Sequence, residues 1–250
     1  MKEMIRNLIK EYVKNYGCTK EIVTTYREPL VGFADANSDE VVKLREVVIP
    51  DHQLAADILK EPTVIISYFI PFTEEIGNSN ITGGPGEPSM LWAAAYDETN
   101  EMMASLNQYL IKEIKKIGYR AAASQIAGQF SKEVLKSRWS QRHIARIAGL
   151  GTFGLNHMLI TEKGCCGRYN SIVTDLPVRP DQMLKQENCL YKYNGTCKVC
   201  VSHCTAGALT VEGFDRFRCY EICSGRKYGN DTCGKCVVNL PCTYQNPIKK

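Results

Sequence analysis

The sequence predicts an α+β or α/β fold for residues 1–180, followed by a small cysteine-rich module at 181–250. Two observations indicate this division. Stretches with helical periodicity alternate with short apolar strands in the first part, whereas nine of the 12 cysteines lie beyond residue 188. The 250 residues are 44% hydrophobic and 23% charged, which supplies enough apolar material for a core and excludes disorder as the main state.

The first part alternates amphipathic helices with apolar strands. Helical spacing of apolar residues predicts helices over 3–16, 52–60, 98–117 and about 131–148. Short apolar runs predict strands over 30–34, 158–161 and 171–174, and the continuous run at 64–70 predicts a strand buried on both faces. Residues 77–89 are rich in turn formers and predict a long loop that acts as a lid or a binding loop.

The charge pattern and the N-terminus exclude several classes of protein. The formal net charge is only +4, and lysines and arginines never form a run longer than a pair, so nucleic-acid binding is not expected. Residues 1–17 distribute charges through an amphipathic helix, unlike a signal peptide, and no apolar window is long enough to span a membrane. We therefore expect a cytoplasmic protein whose reduced cysteines bind metal.

Three glycines match the spacing of a dinucleotide-binding loop. The three are Gly149, Gly151 and Gly154. In a dinucleotide-binding loop a strand comes before the glycines and a helix comes after them. Here the predicted helix comes first and the strand follows. The glycines therefore fit a helix C-cap with a close backbone crossing, or a segment that lets a flat cofactor approach the backbone.

The cysteine-rich module contains a degenerate repeat of a ferredoxin motif. Bacterial-type ferredoxins bind two [4Fe–4S] clusters through C-x2-C-x2-C-x3-C-P, in which the fourth cysteine ligates the other cluster. Aligned on Cys197 and then on Cys233, this template falls on Asn194, Cys197, Cys200 and Cys204, and on Asn230, Cys233, Cys236 and Leu240. Each copy thus lacks its first ligand, and the second copy also lacks its fourth.

Other cysteines can complete both ligand sets. Two clusters need eight thiolates, and the module supplies nine. The crossing rule assigns Cys189, Cys197, Cys200 and Cys242 to one cluster, and Cys204, Cys219, Cys233 and Cys236 to the other. Cys223 is the alternative to Cys219. Zinc is the alternative metal, because paired C-x2-C motifs also form four-thiolate zinc sites.

Residues 141–176 resemble the central segment of the epoxyqueuosine reductases, whose pattern is roughly E-R-x-x-A-x-x-A-G-L-G-W-I-G-K-N. This sequence matches the pattern at Arg142, Ala145, Ala148, Gly149, Leu150, Gly151, Gly154 and Asn156. It departs from the pattern at Gln141, Thr152, Phe153 and Leu155. The family also has a lone cluster cysteine between its two C-x2-C motifs, which favours Cys219 over Cys223. The resemblance extends from about residue 28 to residue 242.

The resemblance implies a nitroreductase-like core that binds base-off cobalamin, followed by a dicluster ferredoxin-like module that passes it single electrons. Gly149, Gly151, Gly154 and Asn156 are then expected to bind the corrinoid. A ferredoxin or flavodoxin would donate electrons, and the substrate would be a small molecule or the corrinoid itself. The family's tRNA-binding helical region follows the clusters, and this sequence ends at Lys250, so we do not expect tRNA as the substrate.

The family uses an acidic proton donor in an Asp-Tyr-His string, and the nearest acid here is Asp97. Asp97 is therefore the expected catalytic residue, or else an acid that suits the N-terminal turn of a helix. Cys165 and Cys166 are a redox pair or cobalt ligand near the corrinoid, or inert buried thiols. The alternative function is a dicluster ferredoxin-type electron-transfer protein that binds no corrinoid.

Overall fold

A computed structural model describes residues 1–125, 130–225 and 231–249. The helices are α1 (Lys2–Thr19), α2 (Asp39–Val42), α3 (Leu44–Val47), α4 (Ala55–Ile58), α5 (Glu74–Ser79), α6 (Met90–Lys116), α7 (Gln141–Ile147), α8 (Leu190–Asn194), α9 (Val199–Ser202) and α10 (Arg216–Cys223), with a 3-10 turn at Lys235–Val237. The strands are β1 (Leu30–Asp35), β2 (Val64–Pro71), β3 (Ala121–Ala122), β4 (Phe130–Ser131), β5 (Lys136–Ser137), β6 (Gly151–Phe153), β7 (Leu159–Thr161) and β8 (Gly167–Thr174).

A four-stranded sheet in the order β1-β2-β8-β3 forms the centre of the fold. Every pairing in it is antiparallel, so the class is α+β. In the middle of the sheet, Val64 of β2 lies opposite Thr174, and Pro71 lies opposite Gly167. All eight residues of β2 are buried, which confirms the strand predicted from the continuous apolar run.

Helices cover both faces of this sheet. On one face, Ile66 and Tyr68 of β2 pack in a cluster with residues of α1 and α6. On the other face, Ile65 packs in a cluster with Ile144 and Ile147 of α7. Successive side chains of a strand point to opposite faces, so a strand without polar alternation needs a cover on each side.

Helix α6 is longer than predicted, with 27 residues. The Ser89 hydroxyl caps its N-terminus by accepting a hydrogen bond from the Trp92 N–H at 3.0 Å. Buried residues such as Leu106 and Leu110 face the sheet. Within the described parts of the chain, no helix has both the length and the hydropathy needed to cross a bilayer.

Two predicted helices are shorter than expected. The helix expected over 131–148 occupies only Gln141–Ile147, because β4 and β5 form a hairpin in front of it. Leu135 adopts a positive φ of 51° in that hairpin, a conformation that a helix cannot contain. The helix expected over 52–60 is a single turn at Ala55–Ile58.

The cysteine-rich module packs against the first part through a shared apolar cluster. The cluster joins Phe72, Ile76, Trp92 and Ile160 to Leu209, Val237 and Val238. Burial of this surface fixes the module against the strands and loops that surround the sheet. The domain boundary at residue 180 stays a prediction.

Candidate functional site

Four cysteines from separate segments line one cavity. Cys189 directly precedes α8, Cys197 precedes α9, Cys200 lies within α9, and Cys242 lies near the end of the chain. We call these four the first thiol set. The remaining wall of the cavity consists mainly of apolar residues, namely Leu155, Ile160, Leu190, Leu240, Pro241 and Pro247. The cavity therefore presents four sulfur atoms within an apolar surround.

The pKa of the Cys200 thiol reflects the three other thiols around the cavity. The pKa of this thiol is raised to about 12, chiefly by burial and also by the thiols of Cys242, Cys189 and Cys197. Bringing several potential thiolates together in an apolar site is unfavourable for their charged forms. A metal group that binds them as thiolates would offset this repulsion and release protons.

A second group of cysteines lies next to the first. The second thiol set consists of Cys204, Cys219, Cys223, Cys233 and Cys236. A hydrogen bond with Cys223 is the largest cause that raises the pKa of Cys219, followed by burial and by the thiols of Cys223, Cys236 and Cys233. Burial raises the pKa of Cys236 to about 12, and the thiols of Cys233, Cys204 and Cys200 contribute. Asn230, which the sequence template aligns with a first ligand, lies outside the described residues.

This arrangement fits an iron–sulfur cluster. A [4Fe–4S] cluster is held by four cysteine thiolates, each bound to a different iron atom, so the ligands surround a space. The first thiol set lines a cavity in that way. Across residues 1–125, 130–225 and 231–249, no three His, Cys, Asp or Glu side chains form a group suited to a single metal ion. Iron binding by either set stays a prediction.

Backbone pairing places Cys242 at the first cavity. The N–H of Cys165 donates to the carbonyl oxygen of Cys242 at 3.0 Å, and the N–H of Cys166 donates to that of Thr243 at 3.0 Å. A hydrogen bond with Cys165 is the largest cause that raises the pKa of Cys242. Burial raises the pKa of Cys166 to about 12, which makes it a poor nucleophile.

The loop expected over 77–89 begins later than predicted, because α5 extends to Ser79, and it contacts the second thiol set. The Asn80 side-chain amide donates to the carbonyl oxygen of Cys233 at 2.9 Å. The buried Lys235 ammonium donates to the carbonyl oxygens of Asn80, at 2.9 Å, and Thr82, at 2.6 Å. Three hydrogen bonds thus join this loop to the second C-x2-C motif and fix the backbone between its cysteines.

A cleft of about 690 Å³ adjoins the second thiol set, and we call it the arginine cleft. Its lining combines two thiols with aromatic and basic side chains, among them Cys219, Cys223, Tyr96, Tyr169, Tyr220, Arg142, Arg168 and Arg216. Aromatic rings give the cleft flat apolar faces, and the guanidinium groups give it positive charge. A molecule bound there would lie beside the second thiol set.

The four residues expected to bind a corrinoid are not among those that line this cleft. A Cβ on Gly149 would lie 2.4 Å from the carbonyl oxygen of Gln182, and one on Gly151 would lie 2.3 Å from that of Ile160. These glycines therefore allow the chain to pack closely against itself. Their contact with a corrinoid stays a prediction, as does that of Gly154.

Gly149 also ends α7 as the C-cap interpretation predicts. Its φ is +76°, and its N–H donates to the carbonyl oxygen of Arg146 at 3.0 Å. The glycine-rich segment therefore follows a helix and itself contains β6, so the helix comes before the strand, the reverse of the order in a dinucleotide-binding loop.

Asn156 links the two thiol sets. Its side-chain amide donates to the carbonyl oxygen of Cys236 at 2.9 Å, and the same side chain lines the first cavity. Its contact with a corrinoid stays a prediction. The hydrogen bond ties the wall of the first cavity to the second C-x2-C motif.

Asp97 is exposed on α6, next to Tyr96, which lines the arginine cleft. Asp97 itself is not part of the lining. Because α6 begins at Met90, Asp97 lies beyond the first turn, where the helix dipole is felt little. Its role as a proton donor stays a prediction.

Sequence reasoning did not identify the arginines of the cleft. In the sequence, Arg142 is one position of a longer motif, and Arg168 and Arg216 carry no local signal. They belong to α7, β8 and α10, which are far apart in the sequence. Only the packing of these three elements brings the charges to one cleft.

Replacement of Cys219 by serine is expected to remove the cluster of the second thiol set, whereas C223S retains it. The expectation follows from the resemblance, and the two variants are matched controls because both thiols lie on α10 and line the same cleft. Iron analysis after anaerobic reconstitution should give about four atoms per chain for C219S and about eight for C223S. The opposite order would assign the ligand to Cys223.

Several solved structures resemble this one, although no family model and no curated protein sequence matches the chain. An epoxyqueuosine reductase from Streptococcus thermophilus is 17% identical, with a TM-score of 0.56, over 96% of this chain and 68% of its own. One from Bacillus subtilis, whose catalytic loop is swung out of the active site, is 18% identical, with a TM-score of 0.52, over 91% of this chain and 64% of its own.

A second enzyme class shares the same architecture. A catabolic reductive dehalogenase in complex with 3-bromo-4-hydroxybenzoic acid is 17% identical, with a TM-score of 0.55, over 88% of this chain and 30% of its own. The chain therefore has the fold of the epoxyqueuosine reductases, which confirms at the level of the fold what the resemblance implied. It spans about two thirds of the length of those reductases.

Proposed function

We propose that this chain, which has the fold of epoxyqueuosine reductases and reductive dehalogenases, is a reductase that contains two [4Fe–4S] clusters. The convergence of Cys189, Cys197, Cys200 and Cys242 on one cavity is the main support. The crossing rule of dicluster ferredoxins assigns these four cysteines to one cluster. A ferredoxin or flavodoxin is the proposed electron donor.

The order of the two thiol sets supports a path for electrons. The Cys200 thiol contributes electrostatically to the raised pKa of the Cys236 thiol, so the two thiol sets lie close together. The second set in turn borders the arginine cleft through Cys219 and Cys223. Single electrons would pass from the first cluster to the second and then to a group bound in the cleft.

The proposed acceptor is cobalamin, with the arginine cleft as its binding site. When bound, a corrinoid supplies the reductive chemistry, and the protein positions it. Phe130 and Tyr220, which line the cleft and keep solvent exposure, offer rings against which a flat macrocycle can pack, and the volume of the cleft accommodates part of such a ligand. Asp97, one residue from Tyr96, is the proposed proton donor to a small-molecule substrate.

One observation favours the alternative of a dicluster electron-transfer protein without a corrinoid. The positions that would be occupied by a Cβ at Gly149 and Gly151 are filled by the chain's own carbonyl oxygens. The glycines therefore have a structural role that needs no cofactor. In that case the arginine cleft would face a redox partner.

Electron paramagnetic resonance of the anaerobically reconstituted chain, with and without cob(II)alamin, tests the proposal. We expect reduced [4Fe–4S] signals and a base-off cobalt spectrum at stoichiometric cobalamin. Cluster signals with cobalt left base-on would overturn the corrinoid part and leave the electron carrier. A metal analysis that finds zinc without iron or labile sulfide would overturn both the reductase and the dicluster electron carrier.

A further inference from the structure

Among the described residues, the hydrogen-bond partners of the three guanidinium groups in the arginine cleft are all neutral. Arg142 donates to the carbonyl oxygen of His157 at 3.0 Å and contacts the Met158 sulfur at 2.9 Å. Its other donors are available to a ligand, because a guanidinium carries five N–H groups. Arg142 lines the cleft and is exposed to solvent.

The other two arginines are held in place in a similar way. Arg168 lies over the Tyr96 ring, 3.9 Å from its centroid, and donates to the Asn100 side-chain oxygen at 2.8 Å. Arg216 donates to the carbonyl oxygen of Leu135 at 3.3 Å. These contacts orient both guanidinium groups without neutralising their charge.

None of the three forms an ion pair with a carboxylate in the described part of the chain. Asp231 belongs to the lining, but it is exposed and is not a salt-bridge partner. Neighbouring protein atoms desolvate the Arg142 guanidinium and lower its pKa, and the charges of Arg168 and Arg216 lower it as well, whereas Tyr169 and Cys236 act in the opposite direction. Arg142 therefore lies close enough to the other two guanidinium groups to be repelled by their charges.

We infer that Arg142, Arg168 and Arg216 form a subsite for an anionic group, a phosphate ester or a carboxylate, on the molecule that binds in the cleft. An anion would relieve the mutual repulsion and accept charge-assisted, bidentate hydrogen bonds from planar guanidinium groups. The aromatic rings beside the arginines favour a ligand whose anionic group is attached to a flat apolar body. This inference deepens the proposed function, on which it rests for the identity of the bound molecule.

Calorimetric titration of the full reconstituted chain with inorganic phosphate and with phenyl phosphate, at fixed ionic strength, tests the subsite. R142Q and R216Q are each expected to weaken binding about tenfold. R146Q is the matched control, because Arg146 is an exposed residue of the same helix and does not line the cleft. Phenyl phosphate should bind more tightly than inorganic phosphate.

Several outcomes would overturn the subsite. One is phosphate binding that is equal in the parent chain and in both cleft variants. Another is equal weakening by R146Q, which would indicate a general charge effect. Unchanged melting temperature and iron content in the variants would show that they fold and bind clusters. R216Q provides a second measurement if R142Q alone unfolds.

A parallel titration with cobalamin and cobinamide identifies the source of the anion. Cobinamide lacks the phosphodiester of cobalamin but keeps the macrocycle. If the subsite binds the corrinoid phosphate, R142Q weakens cobalamin binding and leaves cobinamide binding unchanged. If it binds the substrate, R142Q leaves both unchanged, and phosphate still binds when the corrinoid is present. Because phosphate binding needs no corrinoid, failure of the subsite and failure of the proposed function give different results.

Discussion

Replacement of Cys197 by serine is expected to leave about four iron atoms per chain in place of about eight. Cys197 is one of four thiols around the first cavity, and a [4Fe–4S] cluster that loses a thiolate ligand is bound far more weakly. Iron and labile sulfide, measured after anaerobic reconstitution, give the stoichiometry. The remaining cluster should still show a reduced paramagnetic signal.

A double variant tests whether the four cysteines share one cluster. If Cys197 and Cys242 bind the same cluster, the C197S/C242S protein keeps about four iron atoms, as each single variant does. If they bind different clusters, the double variant loses nearly all its iron, and the proposed ligand grouping is wrong. C18S is the control, because Cys18 is exposed on α1, and its iron content should equal that of the parent chain.

Replacement of Gly164 by alanine is expected to lower the free energy of unfolding by about 3 kcal/mol. The new Cβ would lie 2.2 Å from the carbonyl oxygen of Thr243, and backbone atoms cannot move aside as a flexible side chain can. Moving this segment would also displace Cys242 and weaken the first cluster. Urea unfolding gives the free energy, and iron analysis gives the loss of the cluster.

Gly118 provides the matched control for backbone strain. Its φ of +88° is close to the +84° of Gly164, but a Cβ there would meet no atom within 4 Å. G118A should therefore cost only about 1 kcal/mol, the conformational cost of alanine at positive φ, and should keep all its iron. Equal losses in the two variants would mean that steric contact with Thr243 contributes nothing.

The sequence by itself determined the features that depend on local pattern. The uninterrupted apolar run at 64–70 required a strand covered on both faces, and β2 is such a strand. The spacing of the C-x2-C motifs paired Cys197 with Cys200 and Cys233 with Cys236, and the structure keeps each pair together. Counting ligands then pointed to Cys189 and Cys242 as members of the set that the cavity unites.

Only the tertiary structure decided the features that depend on distant contacts. Hydrophobic periodicity does not record which strands pair, so the antiparallel order of the sheet, and with it the α+β class, came from the fold. The same holds for Gly164, whose role depends on a carbonyl oxygen about eighty residues away in the chain. It also holds for Arg142, Arg168 and Arg216, which packing alone brings together, because electrostatic interactions depend on distance in space and not on separation along the sequence.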